Sequence, residues 1–156
     1  WSSDVCVLGA WVAWADFDHD GDMDMVVGTS TARTCGAAWM NRSAVRVYEN
    51  VASEANWTTI RLVGRGAGRA NRAAIGARVR VTSGAVTQTR DVQGNWGLAG
   101  LATELPVHVG LGQSCTIDRI EVRWPDAANT VETFTDVRAN YGLEIVQGSG
   151  RVRYLR

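Results

Sequence analysis

Apolar and polar residues alternate with a period of two along most of this chain, and β-branched residues fill many of the apolar positions. The alternation is cleanest in Arg78-Val79-Arg80-Val81 and in Ile120-Glu121-Val122-Arg123-Trp124. A strand turns successive side chains to opposite faces, so such runs predict sheets with one packed and one wet face. No stretch keeps helical apolar spacing beyond a turn or two, which leaves helix a minor component at most. Strands are predicted over residues 12–15, 23–28, 45–48, 58–63, 77–81, 86–92, 107–110, 117–124, 131–134, 143–146 and 152–155. Glycine-rich stretches at 64–68, 94–100 and 148–150 read as corners, and residues 29–43, which have no periodicity, read as a long surface loop. The expected fold is all-β: an antiparallel β-sandwich, jelly-roll-like, preceded by an N-terminal hairpin. Residues 1–44 would hold the hairpin and its connecting loop, and residues 45–156 the sandwich, the two forming one compact unit.

The turn of that hairpin carries the most distinctive chemistry. Residues 16–24 read DFDHDGDMD. Asp16, Asp18, Asp20 and Asp24, with Gly21 after the third, have the one-three-five-nine spacing that wraps oxygens around a hard cation. The glycine allows the sharp turn, and Asp22 offers its backbone carbonyl at position seven. Five carboxylates in nine residues repel one another strongly without a cation. Many anionic ligands suit Ca2+ better than Mg2+, which keeps most of its waters. An EF-hand does not fit, because Val27 stands at loop position twelve instead of a bidentate Glu and the flanks read as strands. His19 and Met23 lie between ligand positions and are expected to face away from the ion.

Composition narrows the partners. A chain of 156 residues suffices for one compact domain with a proper core, or for one domain with a small appended unit. Its formal net charge is zero, which argues against nucleic acid as a partner. All sixteen basic residues are Arg, so Schiff-base chemistry through Lys is excluded. No apolar run reaches the roughly 18 to 20 residues that cross a bilayer as a helix, and the longest, residues 5–15, is interrupted by Gly9. Position 1 is Trp, which is consistent with a mature chain after leader removal or with a fragment. Cys6, Cys35 and Cys115 allow one disulfide and one leftover thiol in an exported protein. Pairing Cys6 with Cys35 would close the segment bearing the acidic loop; three pairings are open, and Cys115 also suits a buried small hydrophobe. Asn41-Arg42-Ser43 and Asn56-Trp57-Thr58 are glycosylation sequons, or plain loop asparagines if the chain meets no glycosylating compartment.

The run Trp14-Ala15-Asp16-Phe17-Asp18-His19-Asp20-Gly21-Asp22-Met23-Asp24, followed by Met25-Val26-Val27-Gly28, resembles an FG-GAP or VCBS-type calcium repeat. Val45-Arg46-Val47-Tyr48-Glu49-Asn50, residues 57–64, Asn71-Arg72 and Ala74-Ile75-Gly76-Ala77-Arg78-Val79 resemble the ASPIC/UnbV domain that commonly follows such repeats in secreted proteins. Val109-Gly110-Leu111-Gly112, Ile117-Asp118-Arg119-Ile120 and Glu121-Val122-Arg123-Trp124-Pro125-Asp126 extend the likeness over most of the chain. The resemblance implies an extracellular or cell-surface setting, as in bacterial surface proteins and the cartilage acidic proteins. It carries calcium ligation onto Asp16, Asp18, Asp20, Asp22 and Asp24, and implies no established catalysis. The chain departs from the family pattern in having one calcium repeat where several usually build a propeller, in Ala127 where Gly often follows Trp-Pro-Asp, and around residues 94–101. A lone repeat exposes strand edges that its own sandwich or another chain must cover. Residues 5–15 either pack within their own domain or are donated to a neighbour, which would build a head-to-tail fibre.

Other candidate chemistry is sparse. Only His19 and His108 are present, and His108 reads as a structural strand histidine; no Ser-His-Asp or Cys-His arrangement is suggested. Asp118, Glu121, Glu132 and Asp136 offer a carboxylate pair of glycosidase type, as any all-β domain does. Residues 64–68 lack the lysine and helix of a phosphate loop. Arg61, Arg65, Arg69 and Arg72 form a basic stretch suited to acidic glycans or to plain solvation. Trp14, Trp57 and Trp124 fall in strand patterns and are expected in the core, whereas Trp96, in a glycine-rich loop, is placed either to anchor the loop or to stack on a sugar or a partner. The expected function is a non-catalytic, calcium-stabilised extracellular structural or adhesive module, not an enzyme, with self-association into a surface fibre by strand exchange or attachment to other surface proteins. A carbohydrate-binding module and an accessory domain of a larger secreted enzyme are the alternatives.

Overall fold

A computed structural model of the chain describes residues 11–18, 20–28, 45–51, 55–94 and 104–155. Among these residues there is no helix, and hence none long and apolar enough to cross a membrane. Eleven strands follow in order: β1 (Trp11–Ala15), β2 (Asp24–Gly28), β3 (Val45–Tyr48), β4 (Asn56–Val63), β5 (Arg78–Ser83), β6 (Val86–Asp91), β7 (Val107–Gly112), β8 (Thr116–Arg123), β9 (Val131–Arg138), β10 (Tyr141–Val146) and β11 (Val152–Leu155). They fall into two compact units, one holding β1 to β3 and the other β4 to β11.

The first unit is a three-stranded antiparallel sheet in the order β1-β2-β3. The acidic turn joins β1 to β2 with Ala15 opposite Asp24, and β3 adds to the far edge of β2 with Met25 opposite Tyr48. Residues 45–48, expected at the start of the sandwich, thus pair with the hairpin instead. Val45, Val47 and Arg46 find ladder partners in Gly28, Val26 and Val27 that satisfy backbone groups an isolated hairpin would leave open. Residues 11–15 pair with β2 of their own chain. Trp14 is not in a core but is 49% exposed, on the sheet face it shares with Met25 and Tyr48 across the strands.

The second unit is the expected sandwich, two four-stranded sheets in the orders β11-β10-β4-β7 and β6-β5-β8-β9. Alternate residues of both sheets turn inward into one apolar cluster: Ile60 and Leu62 of β4, Val107 and Val109 of β7, Leu143 and Ile145 of β10, against Val79 and Val81 of β5, Ile120 and Val122 of β8, and Phe134 of β9. Trp124, just past β8, is fully buried. Each such side chain removed from water contributes about 1.5–3 kcal/mol, which offsets the ordering of the strands.

One pairing departs from the antiparallel expectation, since β4 and β10 run parallel with Ile60 opposite Leu143. Asn140, at φ 61°, turns the chain into β10 and fixes this register. Its Oδ1 accepts from the Trp57 amide at 3.0 Å, its own amide donates to the Trp57 carbonyl at 2.7 Å, and its Nδ2 donates to Asn56 Oδ1 at 2.7 Å. The Thr58 hydroxyl, fully buried, donates to the Tyr141 carbonyl at 2.9 Å. In the folded chain the Asn56 sequon is therefore part of a strand clamp, not a free loop.

A buried amide fastens the other end of β10. Gln147 Oε1 accepts from the Ala70 amide at 3.0 Å, and Nε2 donates to Asp126 Oδ2 at 2.8 Å. The Thr130 amide donates to the other Asp126 oxygen and is the foremost cause holding that carboxyl below the usual carboxylate range. Replacing Gln147 by Leu leaves the buried Ala70 donor unpaired at nearly unchanged side-chain size. The expected loss is about 2 kcal/mol, read as a lower urea midpoint with an unchanged slope.

Candidate metal centre

The acidic turn folds on its own carboxylates. Asp18 Oδ1 accepts from the Asp20 amide at 3.2 Å and Asp20 Oδ1 from the Asp22 amide at 2.8 Å, two successive side-chain turns that coil the backbone. Gly21, at φ 99°, takes the left-handed position that this coil requires, and its amide donates to Asp16 Oδ2 at 3.2 Å. Asp24 sits at the start of β2, 1% exposed, and serves two backbone donors: Phe17 N to Oδ2 at 3.0 Å and Asn50 N to Oδ1 at 2.8 Å. The second bond ties the turn to the chain just beyond β3.

The result is a converging set of oxygens. Carboxylate oxygens of Asp16, Asp18 and Asp24 lie within 4.8 Å of one another, the one such group of three or more potential ligands among the described residues. Oxygens bound to a single Ca2+ at about 2.4 Å stand at most about 4.8 Å apart, so these three suit one ion. Asp16 Oδ1 is buried with no hydrogen-bond partner, although Asp16 is only 7% exposed. A buried ionised oxygen without a partner costs several kcal/mol unless a cation or donor meets it. A hard divalent cation would supply that partner and relieve the repulsion among three carboxylates at once.

Of the five aspartates singled out in the sequence, then, three converge. Asp20 and Asp22 stand outside this group; Asp20 already spends one oxygen on the Asp22 amide. Spacing alone missed the part played by the Asn50 amide, which lies 26 residues from Asp24. Beside the turn is a partly open hollow of about 280 Å3 lined by Trp14, Met23, Met25, Tyr48, Asn50 and Val51, with Glu49.

The remaining candidates lie apart. His19, Trp96, Asn41, Cys6 and Cys35 fall outside the described residues. Cys115 is a free thiol and is exposed, not a buried hydrophobe, because it sits in the turn between β7 and β8. His108 is a strand residue on β7, and it stacks on Trp57 with ring centroids 6.2 Å apart. Trp57, expected in the core, lies instead on the outward side of β4, one residue before the inward-facing Thr58. Three of the four scattered carboxylates hold structural partners: Asp118 accepts from the Gly84 amide, Glu121 pairs with Arg80 and Arg119, and Glu132 accepts from the Gly148 amide, while Asp136 is exposed at a left-handed position of β9. Arg61, Arg65, Arg69 and Arg72 are all exposed.

Comparison with protein-family models matches residues 66–152 to the family described as ASPIC and UnbV, and of these residues 66–94 and 104–152 belong to the second unit. No curated protein matches the chain. The matched span includes β5 to β10 and the Trp124-Pro125-Asp126 corner, and it amounts to more than half of the sequence. The chain belongs to the ASPIC and UnbV family.

Proposed function

We propose that this protein is a non-catalytic, calcium-stabilised extracellular module with a structural or adhesive role. The observation that carries this reading is the buried, unpartnered Asp16 Oδ1 converging with Asp18 and Asp24 oxygens. The resemblance of residues 14–28 to an FG-GAP or VCBS-type repeat supports the same ion, with Asp20 and the Asp22 carbonyl completing the shell as the loop tightens. Bound there, Ca2+ supplies positive charge and no reaction. The chain's own groups do the fastening, because Asp24 holds Phe17 N and Asn50 N and so links the turn to the end of β3.

Attachment to surface partners, including further copies of the chain, follows from the sheet of the first unit. Its outer strands β1 and β3 are edges among the described residues, and Val45 and Val47 on β3 are exposed. Apolar edges of this kind favour pairing with another strand. Sedimentation and electron microscopy of the protein with Ca2+ and with a chelator test the reading. Calcium-dependent assemblies that disperse on chelation support it; a monomer of identical stability in both conditions overturns it.

A further inference from the structure

The outward face of the sheet β6-β5-β8-β9 is a regular grid. Cross-strand register places Asp91, Arg78, Arg123 and Val131 in one row, Thr89, Arg80, Glu121 and Thr133 in the next, and Thr87, Thr82, Arg119 and Thr135 in the third. Neighbouring strands lie about 4.8 Å apart and successive rows about 6.8 Å apart. Four arginines therefore share a small area with only two acids. Asp91 holds Arg78 through both oxygens, at 2.7 and 3.2 Å, and Glu121 Oε2 is divided between Arg119 at 2.7 Å and Arg80 at 3.5 Å. Arg123 has neither a side-chain hydrogen bond nor an ion pair among the described residues, yet it stands directly opposite Arg78. Like charges facing each other across a ladder destabilise a sheet, and here one carboxylate, Asp91, bonded to Arg78 and attracting Arg123 as well, is the only acid in their row, so the row keeps an excess of positive charge. Between these side chains is a shallow hollow of about 230 Å3 lined by Arg78, Arg80, Glu121, Arg123 and Val131.

We propose that this face binds an acidic polysaccharide, with a carboxylate or sulfate group seated between Arg123, Arg78 and Arg80. The guanidinium forks match such oxyanions in pairs of parallel hydrogen bonds. The exposed hydroxyls of Thr89, Thr133 and Thr135 flank the arginines and suit sugar hydroxyls, while exposed Val131 offers the C–H face of a ring its apolar contact. Twelve grid positions without one aromatic side chain give nucleic acid no stacking platform. The central strands β5 and β8 are paired on both sides, so an acidic peptide cannot add to them as a strand. Since the chain as a whole carries no net charge, the attraction is local to this face. It is independent of the metal loop, and binding should persist in chelator.

The test is calorimetric titration of the intact chain at low salt with polygalacturonate, dextran sulfate, neutral dextran and poly-L-glutamate. Binding of one or both acidic polysaccharides, with none of dextran, is expected; the two acidic polymers tell carboxylate from sulfate. Arg123→Gln should weaken that binding about tenfold, the loss of one charge-assisted contact. The same change should leave the melting temperature unchanged or raise it, because a like-charge neighbour is removed. Arg151→Gln, in a loop beyond β10, should bind as the wild type does. Failure of both acidic polysaccharides to bind, an Arg123→Gln variant that binds as well as the wild type or melts well below it, or equally tight binding of poly-L-glutamate would each overturn the proposal.

Discussion

Substituting Ala for Gly64 is expected to lower the melting temperature of the sandwich by about 15 °C, the equivalent of about 3 kcal/mol in a unit of this size. Gly64 ends β4, and the chain folds back on it: its amide donates to the Arg72 carbonyl at 3.2 Å, and Gly66 donates to the Ala70 carbonyl at 2.9 Å. A methyl group on Gly64 would overlap the Asn71 carbonyl oxygen and stand 2.5 Å from that of Ala70. Both are backbone atoms held by neighbouring bonds, so relief requires opening the loop that also delivers the Ala70 amide to Gln147. Gly110→Ala is the matched control, because a Cβ on that strand residue meets nothing within 4 Å. Its melting temperature should stay within about 2 °C of the wild type, as for ordinary surface changes. Equal melting temperatures for the two variants would mean that the loop from residue 64 to 72 yields freely.

Alternation made the strands readable because each buried side chain is paired with an exposed neighbour. Arg78 to Ser83 follows that pattern residue by residue, apart from a half-buried Thr82. Where the backbone breaks period, the reading shortens. Strand β9 was expected to stop at Phe134, yet it continues to Arg138 through Asp136, whose left-handed φ of 56° interrupts the alternation while the ladder to β8 keeps its register, Thr135 opposite Arg119 and Val137 opposite Ile117. Alternation also says which residues share a face but not which strand lies beside them. The parallel partnership of β4 with β10 depends on Asn140, whose side chain reaches back 83 residues to Trp57. The same limit explains β3: four residues with strand character cannot announce that their partner is β2 and not the sandwich.

The candidate site was readable for a different reason. Its ligands are close in sequence, so spacing alone places Asp16, Asp18 and Gly21, and the left-handed Gly21 is the turn that spacing requires. Spacing counts positions without weighing competing hydrogen bonds. It ranked Asp20 with Asp16 and Asp18; Asp20 caps the Asp22 amide and stands outside the converging three, while Asp16 is buried with an oxygen to spare. The tryptophans show the complementary weakness, because a strand pattern does not distinguish the two faces. Trp124 fills the core, whereas Trp14 and Trp57 take outward faces of their sheets.

Asp24→Ala and Asp18→Asn should separate the two roles that carboxylates play in the turn. Asp24 is both a ligand candidate and the acceptor for two backbone donors, one of them 26 residues away. Its removal should abolish Ca2+ binding, with a loss of about 100-fold or more in affinity, and should also destabilise the chelated protein by about 2 kcal/mol as the Phe17 and Asn50 amides lose their partner. Asp18 is exposed, and its Oδ1 accepts only from the nearby Asp20 amide, a bond that Asn preserves. Asp18→Asn should therefore weaken Ca2+ by about tenfold, the cost of one anionic ligand, while the chelated protein melts as the wild type does. Calorimetric titration gives the affinities, thermal unfolding in chelator gives the cation-free stabilities, and hydrogen exchange at the Asn50 amide reports the link between turn and strand. In the wild type that amide should exchange more slowly with Ca2+ present, because the ion orders the carboxylate to which it is bonded. Wild-type protein without measurable Ca2+ binding, or two variants that bind as it does, would make the acidic turn a self-capped bend whose five aspartates serve the backbone alone.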